Sequence, residues 1–164
     1  MLAYNSNLKR LNISGCELND DVVISIADSL SYNESLETFI LNGCEASPKL
    51  TGDLVHKLSL GMARHATIEC VSLAFQRLRN SGLAAIAQCI RRCANMKHVD
   101  VRDNWIGSRG VLDMIAMLSA AHESLIDRDL VIDMRHNDFG VEVSDAVMKL
   151  SETLPLSRIL IDEP

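Results

Sequence analysis

One phrase of apolar and polar positions recurs along the chain. Leu8, Leu11, Ile13, Cys16 and Leu18 set it out: two apolar residues three apart, a third two further on, a Cys or Asn three beyond, then another apolar residue. It returns as Leu36, Phe39, Leu41 and Cys44, as Ile68, Val71, Leu73, Gln76 and Leu78, and as Met96, Val99, Val101, Asn104 and Ile106. Partial copies read Ile132, Met134, Asn137, Phe139 and Leu156, Ile159, Ile161. The alternation inside each copy is the period of a short strand with one buried face. A helical period follows, with apolar residues at i, i+3, i+4 and i+7. Val23, Ile26, Ala27, Leu30 form one such stripe, Leu83, Ile86, Ala87, Ile90 another, then Val111, Met114, Ile115, Leu118 and Val143, Ala146, Val147, Leu150. The second stripe is shorter: Val55, Leu58 and Met62. Gly82 and Gly110 mark where the chain tightens into a helix.

The copies start at 8, 36, 68, 96, about 129 and 156, giving steps of 28, 32, 28, 33 and 27. Strand–helix units at a fixed period of this length resemble leucine-rich repeats. Full helices and the stretch Asn104-Trp105-Ile106-Gly107-Ser108-Arg109-Gly110 are similar to the ribonuclease-inhibitor type. The resemblance covers nearly the whole chain. It implies an α/β leucine-rich repeat solenoid, a horseshoe with a parallel β-sheet on the concave face and α-helices on the convex face. Residues 1–164 are then one domain of about five repeats with partial end repeats.

Two longer steps place insertions near residues 46–51 and 122–129, as tolerated surface drift or as partner-specific loops. Leu2-Ala3-Tyr4-Asn5-Ser6-Asn7-Leu8 matches Leu30-Ser31-Tyr32-Asn33-Glu34-Ser35-Leu36 at the same 28-residue offset, so it reads as the tail of a helix. The expectation is a slice of a longer protein, since open solenoid ends expose apolar layers. End-to-end self-association through those ends is the companion expectation.

Composition narrows the picture. Hydrophobic residues make up 48% and aromatics only 4%, so the core is aliphatic, as thin stacked layers require. A net charge of −6 argues against generic nucleic-acid binding, which relies on clustered Lys and Arg. No apolar run approaches the roughly 18 residues of a membrane span. Five cysteines without a signal peptide point to reduced thiols and a cytoplasmic setting.

Strand alternation also names the outward residues. Arg10, Thr38, Cys70, His98, Val131 and Arg158 form one row across the concave face, and Asn12, Ile40, Ser72, Asp100, Asp133 and Leu160 the next. The N-terminal half is nearly neutral. The C-terminal half is charged, with His98, Asp100, Arg102, Asp103, Asp133, Arg135, His136 and Asp138. Asp100 beside Asp133, about 4.8 Å apart across parallel strands, and Arg102 beside Arg135 make either a self-satisfied lattice or a patch relieved by a ligand. Trp105 follows Asn104 off the core phase, near Arg102 and Arg77, with Phe75 just before the turn of the preceding repeat. Such an aromatic–arginine group has the composition of an interface hot spot. The candidate partner-binding set is Phe75, His98, Asp100, Arg102, Asp103, Trp105, Asp133, Arg135 and His136.

Catalytic chemistry finds little footing. His98, Asp100, Asp133 and His136 could be drawn as an acid–base or metal cluster, but an open sheet offers no evident oxyanion donors. Cys89 and Cys93 are four apart on a helix, Cys93 on the buried stripe and Cys89 expected as a surface thiol, so no zinc site is assigned. Cys16 and Cys44 are expected to bond backbone at the turn. Arg91-Arg92 end a helix where cations meet its dipole. No cofactor is implied.

The expected function is a non-enzymatic scaffold binding a protein partner through the concave face and ascending loops. The family resemblance also admits a small-GTPase regulator. Tyr32-Asn33-Glu34-Ser35-Leu36, followed by an insertion-bearing repeat, is similar to the repeat domain of tropomodulins, the actin pointed-end cappers. That similarity spans about one repeat, and actin co-sedimentation is expected to be negative.

Overall fold

A computed structural model describes residues 1–43, 49–63 and 65–162. Strand and helix alternate throughout. The strands are β1 (Arg10–Asn12), β2 (Thr38–Ile40), β3 (Cys70–Ser72), β4 (His98–Asp100), β5 (Val131–Asp133) and β6 (Arg158–Leu160). The helices are α1 (Asp20–Leu30), α2 (Gly52–Ala63), α3 (Arg79–Arg92), α4 (Ser108–Ser119), the short α5 (His122–Leu125) and α6 (Glu142–Thr153). The six strands form one sheet in chain order, every neighbour parallel. Register follows the repeat: Arg10, Thr38, Cys70, His98, Val131 and Arg158 stand side by side. The helix expected to precede the first strand is a 3-10 turn at Leu2–Tyr4.

Layers of aliphatic side chains fill the space between sheet and helices. Phe39, Val71, Val99 and Ile132 point in from the strands, and Val55, Leu58, Leu83, Ile90, Val111 and Leu118 meet them from the helices. Each of these is almost wholly buried, and removing one from water is worth about 1.5–3 kcal/mol. Helices stack side by side as well as onto the sheet. At Gly61 of α2 an added Cβ would run into the Ala27 carbonyl of α1, so this helix pair needs a glycine to close up.

Side-on packing overturns one expectation. Cys89 is not a surface thiol but is 1% exposed. The heptad-like stripe counts only the face toward the sheet, whereas an interior helix also buries its flank, here against Leu60 and Ala63 of α2. Burial pushes the Cys89 thiol far up and Cys93 up as well. Cys16 is also corrected: its side chain is exposed, because β1 has no strand before it whose backbone the thiol could bond. Cys44, and residues 46–48 of the first expected insertion, lie outside the described residues.

The last two copies depart from the ideal phrase. Leu156 is half exposed, and Leu154 takes the buried slot. In the copy before it the opening slot falls on exposed Asp129, and Leu125 and Leu130, both fully buried, fill the layer. The insertion at 122–129 is therefore ordered around α5. Arg128 at its end donates to the carbonyls of Ile90 (2.8 Å), Cys93 (2.8 Å) and Met96 (2.9 Å), closing the C-terminus of α3.

A polar ladder runs along the turns that descend into the strands. Asn33 accepts from the amides of Ser35 and Leu36 and donates back to the carbonyls of Leu2 and Asn5. Asn5 caps its own turn the same way, accepting from Asn7 and Leu8. One repeat on, buried His65 takes the slot: its Nδ1 accepts from the Thr67 amide, which leaves Nε2–H to donate to Asn33 Oδ1 at 3.2 Å.

Candidate functional site

A second ladder shapes the ascending loops, where the chain leaves each strand. Asn104, fully buried, donates to the Leu73 carbonyl (2.9 Å) and accepts from the amides of both Gln76 (2.8 Å) and Leu78 (3.3 Å). Asn137 repeats this, accepting from the amides of Asn104 (2.9 Å) and Ile106 (3.0 Å). In both loops the two amides that converge on one oxygen are separated by a residue that turns left-handed. The residues in between are Arg77 and Trp105, at φ 55 and 58. Phe75, Asp103 and His136, just before the ladder positions, are left-handed too, at φ 60, 55 and 60.

Left-handed backbone throws these side chains outward. Trp105 is 55% exposed and Phe75 50%. The Arg77 guanidinium lies 4.6 Å from the centroid of the Trp105 ring and that of Arg79 5.8 Å. Both arginines are exposed, and Arg79 is itself left-handed at φ 54. The result is an indole flanked by two cations on the loop edge beside the concave sheet. Position 79 was not visible as a partner of Trp105 in the sequence, because its approach depends on the tightening of the chain into α3.

On the sheet, Asp100 and Asp133 stand side by side as expected. Arg102 chelates Asp100 through Nε (3.0 Å) and Nη2 (2.9 Å) and reaches Asp133 at 3.5 Å. Arg135 grips Asp133 in the same two-pronged way, at 3.0 and 2.7 Å. Burial pushes both carboxyls up, but the hydrogen bonds from these arginines outweigh it and hold both below the usual Asp range. For Asp100 the Ser72 hydroxyl, 2.9 Å away, adds to that. Arg102 and Arg135 are raised by the same bonds. His136 lies 3.3 Å from Asp103 and 3.8 Å from Asp162. A groove of about 380 Å³ runs across the concave face from Arg10 on β1 to Leu160 on β6, and Cys70, His98, Asp100 and Asp133 are among its lining residues.

The Leucine Rich repeat family profile matches residues 4–27 and 92–114. Among solved structures, leiomodin-1 actin-binding site 2 superposes with a TM-score of 0.70 at 12% identity, over 94% of this chain and 84% of that one. The C-terminal domain of tropomodulin from Caenorhabditis elegans gives a TM-score of 0.67 at 13% identity, over 89% of this chain and 84% of that one. The chain has the leucine-rich repeat solenoid fold. At these identities the two structural likenesses speak for the solenoid fold. No curated protein sequence matches the chain.

Within this leucine-rich repeat solenoid the nine candidate residues do not form a single cluster. Asp100, Arg102, Asp133 and Arg135 form one connected charge network on β4, β5 and the loops after them, and Asp103 pairs with His136 beside it. Phe75 and Trp105 sit apart on the ascending edge, and His98 is exposed on the groove floor between Cys70 and Val131. Among the described residues, no group of three His, Cys, Asp or Glu is arranged to hold a metal. No helix among them is long and apolar enough to cross a membrane.

Proposed function

We propose that this leucine-rich repeat solenoid is an interaction scaffold that grips a protein partner along the edge formed by Phe75, Arg77, Arg79 and Trp105, with the concave sheet as its second wall. One observation carries the reading. Two large aromatics occupy left-handed backbone, which costs a non-glycine residue roughly 1–2 kcal/mol, while half their surface remains in water. The ladder accounts for the left-handed backbone but does not call for an aromatic side chain there, whereas desolvation by a partner does. Aromatic and arginine side chains are the residues on which binding energy concentrates. The mechanism is preorganisation: the ladder of Gln76, Asn104 and Asn137 holds the loops rigid, so little entropy is lost on docking.

The charge network supports the same reading in a different role. Its donors and acceptors are spent on one another, so it fixes the wall and steers charged partners rather than supplying the grip. The non-enzymatic reading and a cytoplasmic location, from the unpaired cysteines, belong to the same proposal. The test compares capture from the native cell by the wild-type chain and by the Phe75→Ala, Trp105→Ala double variant. A partner recovered in proportion to the wild-type edge, and lost by more than tenfold from an equally folded variant, supports the proposal. Equal recovery by both sinks it.

A second reading, an actin-associated module, is favoured by the likeness to leiomodin-1 actin-binding site 2. Co-sedimentation with filaments and binding to monomeric actin decide it. The residues give no separate support to a GTPase regulator.

A further inference from the structure

We propose that the convex side carries an oxyanion site, built by the insertion at 122–129, that takes a phosphoryl group. It lies on the opposite face from the aromatic edge and stands or falls independently of it. A cavity of about 550 Å³ opens between the last turn of α3 and the corner where α4 meets α5. Gln88, Arg91 and Arg92 line one side, and His122, Glu123 and Ser124 the other. Its volume is within the range of small-molecule clefts, about 300–1,000 Å³.

Arginines at a helix C-terminus ordinarily serve the helix dipole and its open carbonyls. Here that service is already supplied by Arg128, which donates to Ile90, Cys93 and Met96. Arg91 and Arg92 are exposed and form no ion pair among the described residues. Three guanidinium groups thus gather at one helix end, with Glu123 the one acid in the cavity wall. Two uncommitted guanidinium forks match the charge and the geometry of a phosphoryl dianion, which each can bind bidentately. The Gln88 amide and the His122 ring offer further N–H donors. The wall is not a loose loop: Leu125 is fully buried and Arg128 ties its far end to α3.

The test is a chemical-shift titration of the ¹⁵N-labelled chain at constant ionic strength with three probes: inorganic phosphate, pyrophosphate and a phosphoserine peptide. Saturable shifts confined to residues 88–92 and 117–124 are expected. Arg91→Ala with Arg92→Ala should weaken binding at least tenfold without lowering Tm. Arg109→Ala, whose guanidinium is paired with Asp113 elsewhere on α4, should leave it unchanged. Tightest binding of the peptide means the group arrives on a protein; tightest binding of pyrophosphate means a free ligand. If no probe saturates, or the double variant binds as tightly as wild type, there is no such site.

Discussion

Phe75 concentrates the question at the scale of a single residue. Its ring is half exposed and its backbone left-handed at φ 60. Replacement by Ala removes the buried half of the ring and keeps the strain. Replacement by Gly removes the same contacts but releases the strain, since glycine adopts this conformation freely. Thermal or urea unfolding should therefore find Phe75→Gly more stable than Phe75→Ala by about 1 kcal/mol, although glycine is normally the worse substitute. If Ala is the more stable of the two, the backbone is not strained and the case for a functional aromatic weakens. Exposure of Phe75 and Trp105 was legible in the sequence because both fall off the apolar phase of the repeat. The burial of Cys89 was not legible there, because helical periodicity reports one buried face, and a helix with neighbours on both sides buries more than one. Arg128 was invisible for a different reason: nothing in a charged residue announces the three carbonyls it will cap.

The repeat element carries its own prediction through His65. Its slot in the descending ladder is filled by Asn in the two preceding turns, Asn5 and Asn33. Burial holds its pKa below the ordinary histidine value of 6.5, against a smaller opposing pull from Glu34. The geometry agrees, since a proton on Nδ1 would face the Thr67 N–H. The unfolded chain then takes up a proton near pH 6.5 that the folded chain refuses. Stability is full above that pH and falls as the pH drops through the window between 6.5 and the lowered folded value. Substituting His65→Asn restores the Asn turn and should abolish that slope while leaving stability at neutral pH unchanged. A persistent slope between pH 6.5 and 5 in the variant would place the titration elsewhere. A separate loss of stability follows below the ordinary Asp value of 3.8, where Asp100 and Asp133 protonate out of their arginine pairs. The strand register was readable at this scale because one-residue slips would turn every apolar side chain outward. The end copies were not, since Leu154 and Leu130 displaced the positions that ideal spacing assigned.

For the whole molecule, the solenoid converts a repeated phrase into a rigid curved wall, and function then depends on what is mounted along its edges. The architecture was legible because every unit repeats the same buried positions; the binding edge was only partly so, because Arg79 reaches Trp105 through the fold and not through spacing. Trp105 is the one tryptophan of the chain, so it reports on that edge by itself. With 5-fluorotryptophan incorporated, the protein gives a single ¹⁹F resonance at position 105, free of signals from any unlabelled partner. Addition of the partner recovered by wild-type capture should shift this resonance and shield it from solvent. A partner that binds at full affinity while the resonance and its solvent exposure stay unchanged would contradict the account.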